Sequence, residues 1–220
     1  MGERSSGTHF LEHAMQFNFA GLEYERKTKH FFGHHDEEDY EGSEDVLFLV
    51  LVRNPIEWLD SFFRQPYHVP YHLTRSWETF LKGEWYSLID FEEKRYGEEL
   101  MEDRCIGGGG RRYKNVLEMR EVKSRYLLDE LPKKVKNTMV IRYEDVRDDY
   151  GVVLKAIQER YGLVLAPEVE IKGEWRTVDR YKGTYREKYK RKEVSMPEEW
   201  RRWVWENLDE ELEGRMGYYA

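Results

Sequence analysis

Apolar residues occur in this chain as one unbroken run and one shorter run, separated by stretches of helical spacing. Val46-Leu-Phe-Leu-Val-Leu-Val52 shows no alternation, which predicts a strand buried on both faces, as in a parallel sheet. Thr138-Met-Val-Ile-Arg-Tyr143 reads as a second core strand. Phe10, Leu11, Ala14, Met15 and Phe17 predict a short helix within Thr8 to Phe19, and Trp58, Leu59 and Phe62 predict another whose first turn holds Pro55. Further helices are expected around Trp77 to Leu81, over Val116 to Leu131 with Pro132 ending it, over Tyr150 to Tyr161, and once or twice within Pro197 to Leu212. Part of Leu22 to Phe32 reads as a strand ending near His30, and Asp36 to Asp45 as an acidic linker. Gln65 to Arg75 forms an aromatic loop of the kind that carries substrate contacts, and Gly107 to Gly110 a loop or hinge. Strands alternating with helices predict an α/β fold with a parallel sheet.

Composition narrows this picture. A chain of 220 residues suits one α/β domain, read here as residues 1–220. The formal charge of −8 argues against a generally basic nucleic-acid face, so an anion must be held by local Arg, Lys and backbone amides. Cys105 is the single cysteine, which excludes an internal disulfide and a multi-cysteine zinc site and makes a reducing, cytoplasmic setting the natural expectation. No apolar stretch approaches the roughly 20 residues that span a bilayer, so no membrane partner is expected.

Two segments carry candidate chemistry. Gly2-Glu-Arg-Ser-Ser-Gly-Thr8 has the glycine spacing of a phosphate loop, in which backbone amides and a helix N-terminus face an anion. Arg53-Asn-Pro-Ile-Glu-Trp-Leu-Asp-Ser61 follows the first strand and offers an arginine fork suited to phosphate oxygens. His30 lies between them, with an ordinary pKa that leaves it largely neutral near pH 7. His30, His34, His35 and Asp36, and the His68/His72 pair, resemble metal ligand sets, but Gly33 and Pro70 interrupt helical presentation and no metal is expected.

In this order the segments resemble the two phosphate-binding elements of the sulfotransferases that use 3'-phosphoadenosine 5'-phosphosulfate (PAPS). The resemblance implies a three-layer P-loop-like fold, a central parallel sheet flanked by helices, here with its first strand shortened or missing before Gly2. It implies that Arg4, Ser5, Ser6, Gly7, Thr8 and His9 bind the 5'-phosphosulfate, that Arg53 and Ser61 grip the 3'-phosphate, and that Tyr181, Lys182 and Gly183 close over the nucleotide. It further implies His30 as general base, Lys29 or Lys27 stabilising leaving-group charge, no metal, and adenosine 3',5'-bisphosphate as product. Ser5 stands where many members have Lys or Arg, with Arg4 one position earlier. Arg142-Tyr-Glu-Asp145 and the ending Asn207 to Tyr218 are also similar to family segments. The acceptor is a hydroxyl or amine on a small molecule or carbohydrate, with Tyr67, His68, Tyr71, His72 and Trp77 as a stacking surface or as packing.

Two rival classes remain. A P-loop nucleotide kinase has the Walker lysine after the second glycine, where this chain has Thr8, and an acidic residue at the strand end, where it has Arg53. A non-catalytic module of the same fold is favoured by the short N-terminal segment and the shifted Arg4.

Overall fold

The computed structural model describes residues 1–24, 30, 35–89, 97–164, 177–179, 184–186 and 193–220. Within them the protein is α/β, many helices around a small parallel sheet of two strands, β1 (Leu47–Val52) and β2 (Asn137–Arg142). The strands run in register from Leu47 opposite Asn137 to Val52 opposite Arg142. A separate antiparallel pair joins β3 (Thr177–Asp179) to β4 (Thr184–Arg186).

The unbroken apolar run of β1 has the burial its pattern predicts. Leu47, Leu49 and Leu51 pack with α1 (Thr8–Asn18) and α6 (Tyr143–Tyr161). Phe48, Val50 and Val52 face Tyr40, Tyr126, Leu127, Leu131, Leu212 and Met216 on the other side. Hydrophobic burial thus holds helices against both faces of β1. A second core joins α2 (Pro55–Arg64), α3 (Trp77–Lys82), α4 (Val116–Arg125) and α7 (Glu198–Asn207) around Trp58, Phe62, Phe80 and Trp85. In that cluster Phe62, Phe80 and Trp85 meet edge-on or tilted at 5.2–5.7 Å, the arrangement ring quadrupoles favour. The closing helices are α7 and the short α8 (Glu210–Arg215).

Two expectations from spacing fail for identifiable reasons. Pro132 does not end the helix begun at Val116. A π-turn over Tyr126–Glu130 carries the chain into α5 (Leu131–Lys134), so the proline falls directly after the wider turn, where the regular i to i−4 ladder is already interrupted. The helix expected from Tyr150 begins instead at Tyr143, directly after β2, and bends at Asp149, whose φ/ψ of −151°/76° is not helical. Residues 22–24 and 30 form no strand; the rest of the strand expected before His30 lies outside the described residues. The acidic linker contains a 3-10 turn, Glu37–Tyr40, that buries Tyr40.

At the glycine run the chain doubles back on itself. The Cys105 amide donates to the Arg111 carbonyl and the Gly108 amide to the Cys105 carbonyl, both at 3.0 Å. Gly107, Gly109 and Gly110 all have positive φ and face open space. No helix among the described residues is long and apolar enough to cross a membrane.

Candidate functional site

Met1 lies beside β1 in parallel pairing: its nitrogen donates to the Leu49 carbonyl (2.5 Å) and its carbonyl accepts from the Leu51 amide (2.8 Å). The loop Gly2 to Gly7 therefore leaves an extended residue at the sheet and enters α1. Its glycines answer to crowding. A Cβ on Gly2 would lie 2.7 Å from Ser6 Oγ and 2.8 Å from the Leu51 carbonyl oxygen. A Cβ on Gly7 would lie 2.3 Å from the Tyr143 ring, and Gly7 has φ 96°, a conformation that penalises any side chain. Ser5 is also left-handed, at φ 62°. The turn is closed by the Ser6 amide donating to the Glu3 carbonyl (3.1 Å).

Gly7 is the N-cap of α1 and supplies no side-chain cap, and the first turn carries no acidic residue. Among the described residues the amides of Gly7 and Thr8 donate to no protein acceptor. A helix start with open amides and the positive end of the helix dipole favours an anion.

Arg53 comes off the end of β1, before α2, so its side chain is placed by the strand and not by the helix. Asn54 then caps α2, its side-chain oxygen accepting from the amides of Ile56 (3.0 Å) and Glu57 (3.2 Å). The Arg53 guanidinium lies 4.4 Å over the Tyr143 ring and donates through Nη1 to the Ser5 carbonyl (2.8 Å). Tyr143 is thus shared between Gly7 and Arg53, which brings both predicted phosphate elements to one place. Arg53 Nε is buried and has no partner. Ser61 lies on α2, half-buried. Glu57, one turn before Ser61, is 3.8 Å from Arg53 Nη2 and 2.9 Å from Arg147 Nη1, so a carboxylate sits beside the predicted 3'-phosphate ligands.

Arg4 departs most from expectation. Its side chain is 1% exposed and lies over Phe62 at 5.0 Å. It donates to Glu3 (2.8 Å), to the carbonyls of Tyr67 (3.2 Å) and His68 (3.5 Å), and to Asp103 (3.4 Å). The guanidinium is drawn into the core by two buried carboxylates. Lys123 of α4 completes the group, bonding Glu3 (2.8 Å) and Asp103 (2.5 Å), while Ser87 Oγ donates to Asp103. Burial alone would raise the Glu3 pKa, but Lys123 and Arg4 outweigh it and hold the carboxyl well below the usual carboxylate range. Arg120, beside this group, makes a two-pronged buried pair with Glu213 (2.6 and 2.7 Å) and donates to the Arg53 carbonyl (3.0 Å).

The remaining predicted residues are scattered. His9 is exposed and pairs with Glu12 (3.2 Å). His30 is half-buried. Lys27, Lys29, His34, Tyr181, Lys182 and Gly183 lie outside the described residues. His68 bonds the Leu88 carbonyl through Nδ1 (2.8 Å), and Trp77 stacks on Phe63 at 4.1 Å, so both serve packing, whereas Tyr67 and Tyr71 are exposed. The His35 carbonyl accepts from Tyr126 and Lys134. Among the described residues no group of His, Cys, Asp and Glu is placed to hold a metal ion.

Sequence reasoning missed Arg120 and Lys123, and marked Tyr143 and Glu144 only as part of the family-like segment Arg142 to Asp145 without placing them at the site. Glu144 accepts from the Asn54 amide (2.9 Å) and from the Tyr218 hydroxyl (2.8 Å), and burial, then the Glu144 charge, pushes that hydroxyl's pKa well above its ordinary value. The available signal was two cations at i and i+3, Arg120 and Lys123, on the side of α4 that also carries Val116 and Leu117, where buried charge demands a partner. Compared with protein-family models, curated proteins and solved structures, the chain matches none.

Proposed function

We propose that this protein is a sulfotransferase that takes a sulfuryl group from PAPS. The observation that carries the proposal is the meeting of the two phosphate elements at Tyr143: Gly7, left-handed at the start of α1 with open amides, and Arg53, delivered by the end of β1. Helices on both faces of β1, with Met1 paired in parallel beside it, support a P-loop-like arrangement. A nucleotide fits this setting chemically, because the amides of Gly7 and Thr8 and the Arg53 Nε–H are donors without acceptors.

In this reading the open amides of Gly7 and Thr8 hold the 5'-phosphosulfate, and Arg53 with Ser61 holds the 3'-phosphate. The donor supplies an activated S–O bond to its 5'-phosphate. The protein's part is to align that bond with the acceptor oxygen and neutralise charge on the departing phosphate. His30 takes the acceptor's proton. Arg4 has no role at the phosphate, since its fork is spent on Glu3, Asp103 and two carbonyls. Lys27, Lys29 and the segment Tyr181 to Gly183 keep their proposed roles in leaving-group stabilisation and nucleotide cover. Tyr67 and Tyr71 offer rings to a carbohydrate or other small hydroxyl acceptor.

Calorimetric titration with adenosine 3',5'-bisphosphate, without metal and beside magnesium-ATP, tests the reading. Micromolar affinity for the bisphosphate that falls by roughly tenfold or more in Ser61→Ala and Arg53→Lys, both folded, is expected. Preference for magnesium-ATP gives the kinase. Arg4's withdrawal from the loop favours one second reading, a non-catalytic module, and a folded sample that binds neither nucleotide gives that outcome.

A further inference from the structure

Of Arg4, Arg53 and Arg120, carboxylates consume two. Arg4 is shared between Glu3 and Asp103, and Arg120 is gripped by both oxygens of Glu213. Arg53 also has a carboxylate within reach, Glu57 in the first turn of α2, but the distances differ. Glu57 Oε2 is 3.8 Å from Arg53 Nη2, beyond hydrogen-bonding range, and 2.9 Å from Arg147 Nη1. The side chains of Arg53, Glu57 and Arg147 are 10%, 12% and 7% exposed, so solvent screens this contest between guanidiniums only weakly.

Arg147 is braced to win it. It stands early in α6, and Asp148 accepts from its Nε (2.6 Å) and Nη2 (2.8 Å). That two-pronged grip fixes the plane of the guanidinium and leaves Nη1 to Glu57. Arg147 also lies 5.9 Å from the centroid of the Tyr143 ring that carries Arg53 at 4.4 Å, so one aromatic ring seats both cations.

The result is visible in what Arg53 donates to. Its Nη1 is used by the Ser5 carbonyl (2.8 Å). Among the described residues its Nε has no partner, and its Nη2 faces Glu57 only at 3.8 Å. Nε and Nη2 form one edge of a guanidinium, the edge by which Arg120 holds Glu213 and Arg147 holds Asp148. On Arg53 that edge is left for an oxyanion.

Resting on the reading of Arg53 and Ser61 as the 3'-phosphate ligands, we propose that Arg147 is a positioning residue that keeps this edge of Arg53 open by holding Glu57 away from it. Glu57 is the competitor. It precedes Ser61 by one turn of α2, opposes the phosphate by like charge, and closes on Arg53 when Arg147 releases it. Glu57 thus limits how tightly the 3'-phosphate is held, and Arg147 sets how much of that carboxylate the phosphate meets.

The test is a double-mutant cycle on bisphosphate affinity, measured by calorimetry on wild type, Glu57→Gln, Arg147→Gln and the double variant, each checked for folding by circular dichroism. Glu57→Gln should bind about fivefold tighter than wild type and Arg147→Gln about tenfold weaker. In the double variant the loss of Arg147 should cost nothing, so its affinity should match that of Glu57→Gln within about twofold. If Arg147→Gln does not fold, Glu57→Gln against the double variant carries the test, because neither leaves an unpaired carboxylate beside Arg53. Adenosine 5'-monophosphate, which has no 3'-phosphate, should distinguish none of the four proteins. An Arg147→Gln loss of the same size with and without Glu57, a Glu57→Gln variant that binds no tighter, or equal shifts for the monophosphate would each overturn the proposal while wild-type binding of the bisphosphate upholds the site. A folded wild type that does not bind the bisphosphate overturns the reading of the site, and this inference with it.

Discussion

At the scale of single residues, Gly7 bears the tightest constraint in the candidate site. It combines a left-handed backbone with a ring packed where its Cβ would be. Gly21, at φ 70° with nothing within 4 Å, has the first property without the second. Gly21→Ala should therefore cost about 1 kcal/mol from backbone strain, and Gly7→Ala at least about 2 kcal/mol more, read as the difference in urea unfolding free energy. Equal losses would mean that Tyr143 yields freely and does not brace the loop. The need for glycine at position 7 was legible in the loop spacing; the reason for it, a ring 136 positions later, was not. Arg4 shows the converse: a basic residue near a glycine loop reads as a phosphate ligand, but nothing local reveals that Asp103 and the Tyr67 carbonyl lie within its reach.

At the scale of elements, hydrophobic period did most of the work. The unbroken run marked β1, and the apolar spacing marked α1 and α2, because burial on two faces or on one stripe leaves a direct imprint on the sequence; β2, read as a second core strand, is instead mostly half-exposed, with Val140 at 40% and Ile141 its one buried residue. Boundaries set by tertiary contacts left none. Tyr143 begins a helix where its β-favouring side chain suggested a strand end, since its ring is needed under Arg53, and Pro132 sits within a continuing helix where it was expected to close one. Caps, by contrast, are local. Asn54 and Asn115 each accept from two amides at the start of α2 and α4. Replacing either with alanine should lower stability by about 1 kcal/mol, additively in the double variant, by chemical denaturation. Asn54→Ala alone should also weaken bisphosphate binding, since this cap fixes how the chain turns after Arg53.

For the molecule as a whole, the buried ions join parts distant in sequence: the loop through Glu3 and Arg4, the segment around Asp103, and α4 through Lys123. Such groups make stability depend on pH. Glu3 titrates lower in the folded protein than its ordinary 4.5. Its ion pairs therefore stabilise the fold above about that pH and are lost as pH falls below it toward the lowered folded value. Glu3→Gln should be less stable than wild type at pH 7, and the gap between their urea midpoints should narrow between pH 5 and pH 3. A gap independent of pH would separate Glu3 from the acid limb. One further feature serves the experimenter. The Cys105 amide and Arg111 carbonyl pin the two stems of the glycine turn together, and a side chain at Gly107, Gly109 or Gly110 would meet open space. That geometry makes the tip a splice point: a reporter peptide inserted between Gly109 and Gly110 should leave the melting temperature almost unchanged, giving a fluorescent handle far from the glycine loop in sequence.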